Sequence, residues 1–405
     1  MWRNRYAPTA DIIVPATTNQ AFLQDLVIYF EENKHAIAEL TVIYFIPRQA
    51  PFLEWQYPAG ITWGEQSPVH FRYRMFTSDT IGDFYGYVMS ENIINSGSDN
   101  RYQGSTTTTV KYTVVGMTFW MQDQNDKLWK QCTPSSIARD IATKYGMRAV
   151  TEPLGVSFDT QMQSSQSDWK FLADTVAQRV SARLAMDGAS TLYFTQYTTP
   201  IPSTNGTWPV FTMTKRPGVV DTLRSFSGYM GDLDPVGGYR VKMIANATSV
   251  SMPPVSYTPD RDLDNIRPVR TFRKRYTMWP GRSYTEMGDY LIADSEPLWM
   301  YAEATTDGDP RLKVGSICEV QGEGVGVDHR GKWIVRSAVH RLHQVLGNPR
   351  MNTYSCDLKL GRNQPNRLSE PPNLLGIGTD YGTVLVGQRW RARYTTAQPG
   401  PGANP

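Results

Sequence analysis

Thr133-Pro134-Ser135-Ser136-Ile137-Ala138-Arg139-Asp140-Ile141-Ala142-Thr143-Lys144-Tyr145-Gly146-Met147 reads as one short helix with both of its ends marked. Thr133 is a strong N-cap, and Pro134 suits the first turn, where a missing N–H costs nothing. Ile137, Ala138, Ile141, Ala142 and Tyr145 recur at helical spacing, and Gly146 suits a left-handed C-terminal cap. An extended segment through Gln161-Met162-Gln163 follows. Ser167 then caps a second helix, with Trp169, Leu172, Ala173, Val176, Ala177 and Val180 as its buried stripe, before a strand at residues 191–197. Alone, this pattern establishes two amphipathic helices bracketing extended chain.

Outward from that pair, the chain reads as mostly β. Thirty-two glycines and 27 prolines, with many Thr, Val and Tyr residues, place turns at short intervals. Toward the N-terminus, Leu26-Val27-Ile28-Tyr29-Phe30 leads through Glu31-Glu32-Asn33-Lys34 into residues 38–45, a hairpin. Val69, Phe71, Tyr73 and Met75 alternate with His70, Arg72 and Arg74, one face apolar and the other polar. Phe84-Tyr85-Gly86-Tyr87-Val88 is a further strand. A polar loop over residues 95–105 precedes a long strand over 106–121, with Gly116 as a bulge or close-approach point. Residues 20–130 thus form a first small barrel of about six strands, a normal sheet size.

Toward the C-terminus, strands are expected at residues 191–197, 210–215 and 238–243, and a loop-rich insertion at 249–287. A second strong pattern runs over residues 308–362: Gly308-Asp309-Pro310-Arg311-Leu312, then Gly331-Lys332-Trp333-Ile334-Val335 leading to His340, then Tyr354 through Leu358 and Leu360 to Arg362. Residues 363–405 are rich in Pro and Gly and have no sustained apolar period. They read as an extended arm whose middle carries Leu375, Ile377, Tyr381, Val384, Val386 and Trp390, enough to add a strand to an exposed edge but too little for a core.

The order T-P-S-S-I-A-x-x-I-A-x-x-Y-G, then Q-S-D-W-x-F-L-A, then a strand, together with G-D-P-x-L-x-x-G, G-x-W-x-V-x-x-x-x-H and Y-x-x-x-L-x-L-x-R, resembles the hub proteins at the tip of long phage tails, the late control protein D family. It is similar also to the hub portion of type VI secretion spike proteins. The resemblance covers residues 20–362. It departs after the second helix, where Arg179-Val180-Ser181 replaces a glycine and an aromatic residue, so that helix is expected to run longer. The resemblance implies a mainly β fold with an α+β insertion: an N-terminal arm (1–19), a first tube-like β-barrel (20–130), an α+β domain with two helices (131–235), a second barrel (236–362) and the C-terminal arm (363–405). It implies a homotrimer that adapts the hexameric tail tube to a threefold tip, spike or fibre assembly. Its implied partners are the tail tube or distal tail protein, the tape-measure protein, spike or fibre proteins, and genomic DNA passing through the lumen without sequence-specific binding. The implied location is the virion tail tip, after folding in the host cytoplasm, with no membrane insertion by this chain.

Composition agrees with a folded multidomain protein. At 405 residues the chain exceeds one typical core, so roughly two to four domains are expected. Forty-one basic and 38 acidic residues leave a formal charge of +3, too balanced for a nucleic-acid binder or a membrane-surface protein. Cys132, Cys318 and Cys356 lie far apart, which argues against a disulfide scaffold or a zinc site and for a reducing compartment. The N-terminus lacks the apolar run of a signal peptide, and no bilayer-length apolar run occurs.

No catalytic, cofactor-binding or metal-binding residue is assigned. His340 and His343 lie three apart on a strand, hence on opposite faces, which disfavours a metal pair and leaves His340 a packing or hydrogen-bonding role. Gly322-x-Gly324-x-Gly326 precedes a turn cluster rather than a helix N-terminus, so it reads as a hairpin turn and not as a phosphate cradle. Asp232, Asp234, Asp260, Asp262 and Asp264 could supply the paired carboxylates of a tail-tip cell-wall (peptidoglycan) hydrolase, although such acidic loops are more often solvated turns. Arg267, Arg270, Arg273, Lys274 and Arg275 read as a surface loop or a subunit contact. Trp120, Trp169 and Trp333 fall in periodic patterns and are expected in the core, against a carbohydrate- or receptor-binding alternative.

Overall fold

The computed structural model describes residues 8–14, 21–47, 63, 65–75, 80–97, 105–154, 157–177, 180, 182–196, 199–201, 208–214, 218, 220–229, 236–241, 255–257, 270–272 and 300–362. The first half supplies β1 (Thr9–Val14), β2 (Ala21–Glu31), β3 (Ile37–Pro47), β4 (Pro68–Arg74), β5 (Ile81–Gly97) and β6 (Ser105–Gly116). The middle supplies a 3-10 turn (Met117–Gln122), β7 (Gln124–Cys132), α1 (Pro134–Lys144), β8 (Arg148–Thr151), β9 (Phe158–Ser167) and α2 (Asp168–Lys170). A π-helical stretch (Phe171–Ala177), β10 (Ala182–Met186) and β11 (Thr191–Gln196) complete it. Beyond it come β12 (Val210–Thr212), β13 (Leu223–Tyr229), β14 (Val236–Val241), β15 (Val255–Tyr257) and β16 (Arg270–Phe272). The chain of described strands closes with β17 (Met300–Asp307), β18 (Ile317–Gln321), β19 (Gly331–His343) and β20 (Thr353–Arg362).

One twelve-stranded sheet carries both halves, in the order β1-β4-β5-β6-β3-β2-β19-β20-β17-β13, with β18 on β19 and β12 on β18. The mainly β class with a helical insertion therefore holds. Among the described residues there is no closed barrel, and the physical reason lies in β2. A strand has two edges, and β2 gives one to β3 and the other to β19, from Glu31↔Ser337 to Asp25↔His343. The edge that would close a separate first barrel is thus used to join the halves. Thr9–Val14, expected within an arm, is a strand on β4.

The hairpin, the 68–74 strand and the closing strands lie where the patterns place them. The strand expected over 106–121 stops at Gly116. There the backbone meets Ala36, whose carbonyl accepts from Gly116 N at 2.8 Å, and a 3-10 turn takes over. That turn changes the phase of the side chains, so Trp120 is 39% exposed instead of buried. The polar face of β4 is also only partly wet: His70 is buried, stacked on Tyr85 at 4.0 Å between ring centroids. Within the expected loop-rich insertion, β15 and β16 flank β14 in a three-stranded sheet. The Asp232–Asp264 carboxylates, the cations of the 267–275 run other than the backbone of Arg270, and the arm at 363–405 lie outside the described residues.

The middle segment has its own core, built from Ile137, Ile141, Trp169, Phe171, Leu172, Val176, Leu184 and Phe194 among others. Here β8 pairs in parallel with β11, and β11 antiparallel with β10. Thr133 forms the full capping box with Ser136. The whole stripe expected of the second helix is buried; the described helical residues run to Ala177, and Val180 sits in a turn.

Candidate functional site

The residues of the two sequence patterns converge on three clusters. In the first, Gly308 leaves room for the Tyr354 ring: a Cβ at Gly308 would lie 2.1 Å from Tyr354 Cγ. Tyr354 in turn holds His340, hydroxyl to Nδ1 at 2.7 Å, while His340 Nε2–H donates to Leu312 O at 2.7 Å. Cys356 Sγ lies 3.2 Å from the same Nδ1. Burial lowers the imidazole to about 4, so it is neutral, with one nitrogen donating and the other accepting. Trp333 is buried at the other end of β19, its indole N–H donating to His329 O at 2.9 Å and its ring covered by Arg362 at 4.1 Å.

The second cluster centres on Asp168. Lys144 Nζ and Tyr145 Oη both donate to Oδ2 at 2.7 Å, and Gln163 Nε2 donates to Oδ1 at 2.7 Å. Burial pushes this carboxyl up, but the three donors outweigh burial and hold it below the usual carboxylate range. One ionised side chain thereby ties the end of α1 to β9 and to the start of α2.

The third cluster is where all parts meet. The β10–β11 hairpin wedges between the halves of the large sheet. Toward the first half, Asn33 N donates to Leu184 O at 2.8 Å and Tyr85 N to Gly188 O at 2.8 Å. Only glycine fits there, since a Cβ at 188 would lie 2.2 Å from Asp83 O. Toward the second half, Lys313 Nζ pairs with Asp187 Oδ2 at 3.0 Å and meets the Tyr193 hydroxyl at 2.9 Å, and Ile201 N donates to Gly315 O at 2.7 Å. Burial pulls the Lys313 ammonium down, yet Asp187, then Tyr193, overcome this and hold it above its ordinary value. Gly315 has φ +83°, and a side chain there would strike the Arg183 guanidinium at 2.7 Å. A cavity of about 520 Å³ opens at this junction, with Asp83, Arg148, Asp187, Arg311 and Lys313 on its walls.

No protein-family profile matches the chain, and no curated protein matches it by sequence. Solved structures do match. A 43 kDa tail protein of prophage MuSo2 from Shewanella oneidensis superposes at TM-score 0.56 and 13% identity, over 88% of this chain and 98% of that one. A tail protein from Neisseria meningitidis MC58 gives 0.55 at 11% identity, over 88% and 96%. The fold is that of a phage tail protein. A type VI secretion system component of E. coli, itself structurally similar to the T4 tail proteins gp27 and gp5, matches at 0.52 and 9% identity, over 90% of this chain and 79% of that one.

The described sequence candidates take the following places in this fold. His340 is buried and His343 half-exposed on the opposite face, bonded to Asp25 at 2.6 Å. Among the described residues no group of three His, Cys, Asp or Glu side chains could hold a metal ion, and no helix is long and apolar enough to cross a membrane. Gly322, at φ +105°, turns the chain after β18 against the backbone of Met213. Trp169 and Trp333 are buried as expected. The three cysteines are free thiols. What sequence reading missed is the junction: Asp187 and Arg148 belong to no motif, and Lys313 holds an unspecified position of G-D-P-x-L-x-x-G, whose last glycine, Gly315, is the one signal there.

Proposed function

We propose that this chain is a structural hub at the tip of a long phage tail, with no enzymatic role. It would act as a homotrimer joining the hexameric tube to a threefold tip and lining part of the channel for DNA. The observation that carries this reading is the whole-chain likeness to phage tail proteins. The open sheet supports it: among the described residues β1 and β13 end the strand order with unpaired edges, and copies meeting in a closed ring would cover such edges. Domain limits near residues 130, 235 and 362 and contacts with tube, tape-measure and spike or fibre proteins are parts of the same proposal. Electron microscopy of the purified chain, with and without its tail partners, tests it. A threefold ring with a central hole is expected; a strict monomer in both settings contradicts it.

A further inference from the structure

We propose that the junction cavity receives the chain's own C-terminal arm, through residues 368–387. Three observations converge. First, the last described strand delivers the chain beside the cavity. Ile317 lines it, Ile317 pairs with Ile334, and Ile334 pairs with Gly361, so Gly361 lies two strand spacings, about 10 Å, away. Ten extended residues beyond Arg362 span roughly 33 Å, more than the distance needed.

Second, the cavity is apolar where a chain segment would fill it and cationic at one point. Phe30, Tyr73, Ile81, Ile201, Trp208 and Ile317 line it. Of its charged residues, Lys313 is held by Asp187, Arg311 by Asp309, and Asp83 by Arg72 and His70. Arg148 is exposed, and among the described residues no ion pair engages it. Third, residues 368–387 match that chemistry. They hold Leu368, Leu374, Leu375, Ile377, Tyr381 and Val384, with Glu370 and Asp380 and not one Lys or Arg. A carboxylate on Arg148 and the leucines among the aromatic walls would bury the arm's apolar groups. This inference is independent of the assembly reading, because it concerns a contact within one chain.

The test uses the full chain carrying Ile81→p-benzoylphenylalanine, irradiated as an equal mixture of light and heavy isotope-labelled protein. Peptides from residues 368–387 of the same chain should be captured. Arg148→Glu should lower the yield about fivefold, as expected for loss of one solvent-accessible ion pair, and Arg148→Lys should keep most of it. The double substitution Glu370→Lys, Asp380→Lys should lower it alike. Capture of the arm of another copy, capture confined to other regions, or a yield indifferent to these charges would overturn the inference.

Discussion

His340 makes the strongest single-residue claim. Unfolded, an imidazole takes up its proton near pH 6.5; folded, burial postpones this to about 4. Between these values the unfolded chain holds a proton that the folded chain refuses. Stability is therefore complete above about pH 6.5 and lost progressively as the pH falls toward 4, by about 3 kcal/mol in all. Denaturant titrations across that range should show a loss in the wild type that is smaller by about 3 kcal/mol in His340→Gln, the remainder coming from groups such as His35, whose imidazole burial also lowers. At neutral pH the substitution should cost about 2–4 kcal/mol, because the Tyr354 hydroxyl and the Leu312 carbonyl lose their buried partner. The spacing of His340 and Tyr354 is plain in the sequence, but their contact is not. It depends on two strands lying in register at His340↔Cys356, which only the pairing of β19 with β20 provides.

At the scale of elements, the two helices were legible because each carries its own local signals. Thr133 and Ser167 cap as the sequence says, each accepting from an amide three residues on. Thr133→Ala should lower stability by about 1 kcal/mol, measured by thermal or chemical unfolding. Trp169→Ala should cost about 3–5 kcal/mol, since the ring is buried and lies against His35 at 4.8 Å. Wild-type stability in that variant would mean the helical segment is not braced against the large sheet. Legibility failed where local signals compete. The chain from Thr106 to Met121 alternates well enough for a strand throughout, yet the close approach at Gly116 breaks it.

For the whole molecule, light scattering should report a trimer, alone or once tail partners are present. The division into a mainly β body with a helical middle could be read from the chain. The joining of the halves could not, because Glu31–Asp25 and Ser337–His343 are both ordinary apolar-alternating strands with nothing in either to name the other. That pairing sets a clock on synthesis. Arg336 and its partner Glu32 are 304 residues apart. At ribosomal speeds of about 5–20 residues per second, β2 waits roughly 15–60 s with one edge bare before β19 emerges to cover it. During that interval the nascent chain offers an apolar, unpaired strand to any neighbour on the same message. A chain of this design should need a chaperone, or slow itself little between the two halves, to escape premature pairing with its own siblings. Ribosome-bound fragments ending before residue 331 should accordingly aggregate, and those extending past β20 should not.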